Sequence, residues 1–146
     1  MLTQSGLLGV SDSIRLKLLA SLARSDIAGA IVMYEAQTGQ AAPAWLLDLQ
    51  VAYSVASQNV GRCQEVARLI HTAFTRLGQS PQYVAIRALD RKNYITFDMA
   101  DGKVPTLTRN GYHVIVKLED VVYDAYTGPA GMKLTQTCLS FMQRQG

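Results

Sequence analysis

Cys63, Cys138, His71 and His113 are the side chains of this sequence best suited to nucleophilic and proton-transfer chemistry. Cys63 follows the polar stretch Ser57-Gln58-Asn59-Val60-Gly61 and stands where a helical apolar pattern begins. A helix start exposes N–H groups without partners and roughly half a positive charge, so a thiolate there is stabilised and its pKa falls below the free value of about 8.5. Such a thiolate is a usable nucleophile near neutral pH. The same N–H groups, helped by the side-chain amide of Gln58 or Asn59, would bind the oxyanion formed when a carbonyl is attacked. The competing reading of Cys63 is a small buried hydrophobe, since free cysteine is among the most buried residue types. Cys138 lies among Leu134, Leu139, Phe141 and Met142 and reads as core packing.

A thiol nucleophile needs a base, and the two histidines differ in their reach. About 12 Å of helical rise separates His71 from Cys63 on the same helix, which reads His71 as a surface residue. His113 instead opens the β-rich run Val114-Ile115-Val116. The pair Glu119-Asp120 separates this run from Val121-Val122-Tyr123-Asp124-Ala125-Tyr126, the pattern of an antiparallel hairpin. A turn centred on those two acids sets Leu118 opposite Val121, Ile115 opposite Asp124 and His113 opposite Tyr126. His113 and Asp124 then share a face as diagonal neighbours, roughly 7 to 8 Å apart at the backbone and within side-chain reach. Asp124 would hold one ring nitrogen and leave the other to act as a base. A slip of one residue would put the two on opposite faces.

These side chains depend on elements that the pattern also predicts. From Ser11 to Leu77 the period is helical. Ser11 or Ser13 caps a first helix with Ile14, Leu18, Leu19 and Leu22 on one face; a second runs from Ile27 through Gln37; Pro43 opens a third carrying Trp45, Leu46, Leu49 and Tyr53. Val55 to Gly61 reads as irregular, and the helix from Arg62 to Leu77 buries Val66, Leu69, Ile70, Ala73, Phe74 and Leu77 before Gly78 ends it. The period then changes. Tyr83–Ile86, Tyr94–Phe97, Tyr112–Leu118 and Val121–Tyr126 read as strands, and Leu134–Met142 as a short closing helix. Helices followed by a largely antiparallel sheet make an α+β class, expected as one domain over residues 1–146, with a helical subregion in 1–60 and the catalytic helix plus sheet in 61–146.

Composition narrows the remaining possibilities. The chain has 146 residues, 49% hydrophobic and 17% charged, with a net charge of +3 and no block of like charge, so neither a disordered tail nor a nucleic-acid arm is expected. No apolar run reaches the roughly 18 to 20 residues that span a bilayer, and the first residues lack the basic start of a signal peptide. A soluble protein without membrane association is the expectation. Two cysteines are too few for a disulfide scaffold, and two histidines leave a structural zinc site short of ordinary ligands. Neither a metal nor another cofactor is expected.

The order Cys63 opening a helix, His113 opening a later strand and Asp124 on the next strand resembles the papain-like fold, in particular the papain-fold toxin domains at the C-termini of bacterial polymorphic toxins and secreted effectors. The words that carry the resemblance are Gly61-Arg62-Cys63-Gln64-Glu65, Gly111-Tyr112-His113-Val114-Ile115-Val116 and Val122-Tyr123-Asp124-Ala125-Tyr126-Thr127-Gly128, all within residues 61–146. Membership would imply a thiol enzyme with Cys63 as nucleophile, His113 as base and then acid, and Asp124 as the orienting carboxylate. The run around Cys63 differs from the Cys-Gly-Ser-Cys-Trp type of papain itself. Ser57 stands where that family's oxyanion glutamine is expected, with Gln58 and Asn59 as substitutes.

The resemblance implies glutamine deamidation, proteolysis or acyl transfer on a target protein, a possible cognate immunity protein as partner, and secretion or delivery into a target cell's cytosol without a signal peptide. A non-catalytic α+β protein-binding or immunity-type domain is the alternative, and a small-molecule acyltransferase keeping the same triad is a third reading.

Overall fold

Ser11, Asp26 and Pro43 each precede an apolar run, and in the structure, a computed structural model that describes residues 11–59, 61–87, 95–96, 106–108 and 112–133, a helix starts after each of them. Helix α1 spans Asp12–Ala23, and the Ser11 side chain accepts from the Ile14 N–H at 3.3 Å. Helix α2 spans Ile27–Thr38; Asp26 accepts from the Gly29 N–H at 2.8 Å, and Gly39 closes the helix in the left-handed region at φ 67°. Such capping satisfies donors and acceptors that a helix end otherwise leaves bare. Helix α3 spans Ala44–Ala52 and is followed by one 3-10 turn, Val55–Ser57, within the stretch that the sequence marks as irregular.

Helix α4, Cys63–Arg76, carries the strongest apolar stripe. Val66, Leu69, Ile70, Ala73 and Phe74 are buried along it, with Ala67 beside them and Leu77 just beyond its end. The stripe packs against α3 on one side and against the sheet on the other, so the position of Cys63 is set by the largest block of the core.

Four described strands form an antiparallel sheet in the order β1 (Gln82–Arg87), β4 (Tyr112–Leu118), β5 (Val121–Tyr123), β6 (Met132–Lys133). The β4–β5 hairpin has the expected register: Leu118 pairs with Val121, Lys117 with Val122 and Val116 with Tyr123. Its two-residue turn needs positive φ, which Glu119 adopts at 54°. Strand β1 pairs with β4, placing Ile86 opposite His113. The α+β class is therefore observed.

Three details differ from the pattern-based reading. Strand β5 stops at Tyr123, because the Asp124 side chain accepts from backbone N–H groups further along and turns the chain out of the ladder. Strand β2 (Ile95–Thr96) joins β3 (Thr106–Thr108) in a separate two-stranded ladder instead of the main sheet. The fourth strand of the main sheet is β6, which follows the Gly128 and Gly131 break. The closing helix at Leu134–Met142 and Cys138 lie outside the described residues.

Gly131 is needed for that fourth strand. Its φ is 73°, and a Cβ there would lie 2.5 Å from the Val121 side chain and 2.6 Å from the Tyr123 ring. Gly131→Ala is expected to destabilise the fold by at least about 1 kcal/mol, the cost of placing an L side chain in left-handed backbone. Urea unfolding of the variant against the parent measures it.

Candidate active site

Cys63 is the first residue of α4, and the residue before it, Arg62, supplies no side-chain cap. The first-turn N–H groups are therefore left for another acceptor. The sulfur takes that role: Cys63 is half-buried and its thiol pKa is lowered, chiefly by a hydrogen bond with the His113 imidazole. Burial works against this shift, while backbone N–H groups of Val114 and Gln64 and the charge on His113 add to it. The Gln64 contribution is the helix-start effect read from the sequence. Val114 comes from β4 and was not anticipated, because only the packing of α4 on β4 brings that N–H to the sulfur.

His113 is 2% exposed and Asp124 3% exposed. Nε2 of the ring lies 3.0 Å from Oδ2 of Asp124, so the two side chains meet as expected although the ladder ends at Tyr123, three residues short of the expected Tyr126. The other carboxylate oxygen, Oδ1, accepts from the Tyr126 N–H at 2.8 Å and from the Thr127 N–H at 3.0 Å. Thr127 reciprocates, its hydroxyl accepting from the Asp124 N–H at 3.0 Å. This closed Asx turn fixes the carboxylate before the imidazole meets it. The Asp-Ala-Tyr-Thr spacing is a signal for such a turn that is visible in the sequence.

Burial pushes the His113 pKa down, but the hydrogen bonds and charges of Asp124 and Cys63 outweigh it and lift the value to about 9. With Nε2 taken by Asp124, Nδ1, which is closed to solvent, is the nitrogen left for the sulfur. The ring nitrogens are thus used in the opposite sense to those of the serine-protease triad. A lowered thiol facing a raised imidazole favours a thiolate and imidazolium in contact from below the ordinary thiol range up to about pH 9.

A small cavity of about 10 Å³, close to the room one water needs, is bordered by Ser57, Asn59, Cys63, His113, Asp124 and Tyr126. The two amide candidates part here. Gln58 does not border the cavity, and its Nε2 donates to the Ala125 carbonyl at 3.0 Å, tying the loop before α4 to the Asp124 turn. Asn59 borders the cavity, with its Nδ2 donating to the Ala56 carbonyl. The Ser57 hydroxyl donates to the Val51 carbonyl at 2.7 Å. Tyr53 is a neighbour missed by the sequence reading: its hydroxyl is buried without a hydrogen-bond partner, and its pKa is raised well above the ordinary value by burial, then by Asp124 and Tyr123. His71 is half-buried, its ring stacked on Tyr83 at 4.2 Å, and it does not border the cavity.

A separate cavity of about 470 Å³ lies at the other end of α4, beside Phe74 and Gly78, away from all three titratable side chains. Among the described residues no three His, Cys, Asp or Glu side chains converge as a metal site requires, and no helix is long and apolar enough to cross a membrane. The chain matches no protein-family model, no curated protein and no solved structure.

The pKa directions fix a pH profile. Below the lowered thiol pKa the sulfur is protonated and unreactive; above it the thiolate is present, and the imidazole keeps its proton until about pH 9. Alkylation of Cys63 by iodoacetamide should therefore set in below the ordinary thiol range. Asp124→Asn removes a hydrogen bond and a charge that hold the imidazole protonated, so the onset of alkylation should move to higher pH. Intact-mass kinetics across pH check both expectations; an onset unmoved by Asp124→Asn would show that the carboxylate does not act on the sulfur through the ring.

Proposed function

We propose that this chain is a papain-like thiol hydrolase domain that attacks a protein amide, as a glutamine deamidase or a protease, and serves as the effector or toxin part of a bacterial delivery system. The observation that carries the reading is the buried imidazole bonded at 3.0 Å to a buried carboxylate while it lowers the pKa of a half-buried thiol. A helix-start cysteine that only packs would need neither partner.

In the proposed reaction the Cys63 thiolate adds to the amide carbonyl carbon, and the carbon–oxygen double bond becomes an oxyanion. That oxyanion is met by N–H groups at the start of α4, with Asn59 the amide side chain nearest to hand at the cavity. The carbon–nitrogen bond then breaks, the imidazolium proton passing to the departing nitrogen, and a thioester remains on Cys63. Water attacks the thioester as His113 takes its proton, releasing the acid and restoring the thiolate. Ammonia as the leaving group makes the step a deamidation; a peptide amine makes it proteolysis. Asp124 keeps the ring oriented throughout.

Incubation with p-nitrophenyl acetate tests the covalent step. An acetyl adduct should appear on Cys63 and turn over, and Asp124→Asn should slow turnover roughly 10²- to 10⁴-fold, the range of a general acid–base contribution. Turnover retained in Cys63→Ala, or a parent Cys63 that is never acylated, would overturn the reading. Mass mapping of protein substrates treated with the parent and with Cys63→Ala then separates side-chain deamidation from chain cleavage.

A further inference from the structure

The thiolate has two backbone donors, the N–H groups of Gln64 and Val114, and these same two residues line an open groove of about 520 Å³ between α4 and the strands β1 and β4. Its other walls are Glu65, Arg68 and Tyr83. Cys63 itself borders the smaller cavity, but the two residues that hold its sulfur border the groove, so the groove's lining describes what would lie next to the thiol. Tyr83 is 53% exposed, and its ring is held flat against His71 at an interplanar angle of 6°. A ring fixed in this way gives an extended peptide an apolar surface at little entropic cost.

The charges of the groove are unequal. The Glu65 carboxylate is engaged by the Arg62 guanidinium at 3.0 Å. The Arg68 guanidinium is exposed on the same helix and has neither a hydrogen bond nor an ion pair among the described residues. Asp124 is satisfied by His113 and by its own turn. The Arg87 guanidinium, on β1, lies over the Tyr112 ring at 5.8 Å and does not line the groove. Among the described residues that line the groove, Arg68 is the one uncommitted cation, and a guanidinium pairs with carboxylate in a two-pronged geometry.

We propose that this groove is the substrate-binding site and that Arg68 selects peptides carrying an acidic side chain next to the attacked amide, an inference that rests on Cys63 being the nucleophile. Tyr83 supports the peptide, and Arg68 supplies the charge preference. The ion pair is solvent-exposed, so the discrimination is modest and screened by salt.

Chloroacetyl-Xaa-Ala amides with Xaa as Glu, Gln or Lys test this directly, the rate of Cys63 alkylation being read by intact mass at low and high salt. The Glu probe should react about two- to fivefold faster than the Gln probe, the size of an exposed ion pair, and the Lys probe slowest. With each rate divided by that protein's own iodoacetamide rate, Arg68→Gln should level the series and Arg68→Glu should invert it. Equal rates for the three probes in the parent, or a Glu preference that survives Arg68→Gln, would overturn the assignment while leaving the nucleophile intact. A Cys63 inert to every probe would instead remove the hydrolase reading itself.

Discussion

An imidazole shut away from water must have its nitrogens satisfied from within the protein, and the site follows from how His113 meets that condition. One nitrogen is held by the Asp124 carboxylate, and the ring also hydrogen-bonds the Cys63 thiol. Burial alone would make the ring neutral. The carboxylate on one side and the sulfur on the other reverse that tendency and raise its pKa to about 9, and the same contact lowers the thiol. The charges are therefore mutually dependent: an acidic partner sustains the imidazolium, and the imidazolium sustains the thiolate.

Each member of this arrangement is placed by a different kind of structure. The sulfur is placed by a helix whose stripe is buried between α3 and the sheet, with a first turn that has no side-chain cap competing for its N–H groups. The ring is placed by β4, which pairs with Ile86 of β1 at His113 and with β5 further along, at Val116 to Leu118. The carboxylate is placed by a short turn that closes on itself through Thr127. Gln58 links two of these parts through the Ala125 carbonyl, so its amide serves the geometry of the site more directly than its chemistry.

What could be read from the sequence was what depended on near neighbours. The helices of residues 11–77 were legible because Ser11, Gly39 and Pro43 mark their ends and the apolar stripe of α4 repeats at helical spacing. The meeting of His113 with Asp124 was legible because Glu119-Asp120 sets the register of a two-residue hairpin. The early end of β5 was hidden because a side chain took over backbone donors that a ladder would otherwise use. The pairing of β1 with β4, the Val114 donor and the true partner of Gln58 were hidden for a shared reason: each joins residues far apart in the chain, and no local pattern encodes which distant carbonyl or strand will be met.

The central claim is that contact with His113 lowers the Cys63 pKa below the ordinary thiol range while the ring keeps its proton to about pH 9. The most direct test is the ultraviolet thiolate absorbance across a pH titration, taken as the difference between the parent and Cys63→Ala so that Cys138 cancels, and repeated in a His113→Ala background. The account predicts a thiolate signal that rises at lower pH than that of an ordinary thiol in the parent and shifts to the ordinary alkaline range once the ring is removed. A Cys63 signal that first rises in the alkaline range in the parent, or one that His113→Ala leaves in place, would contradict it.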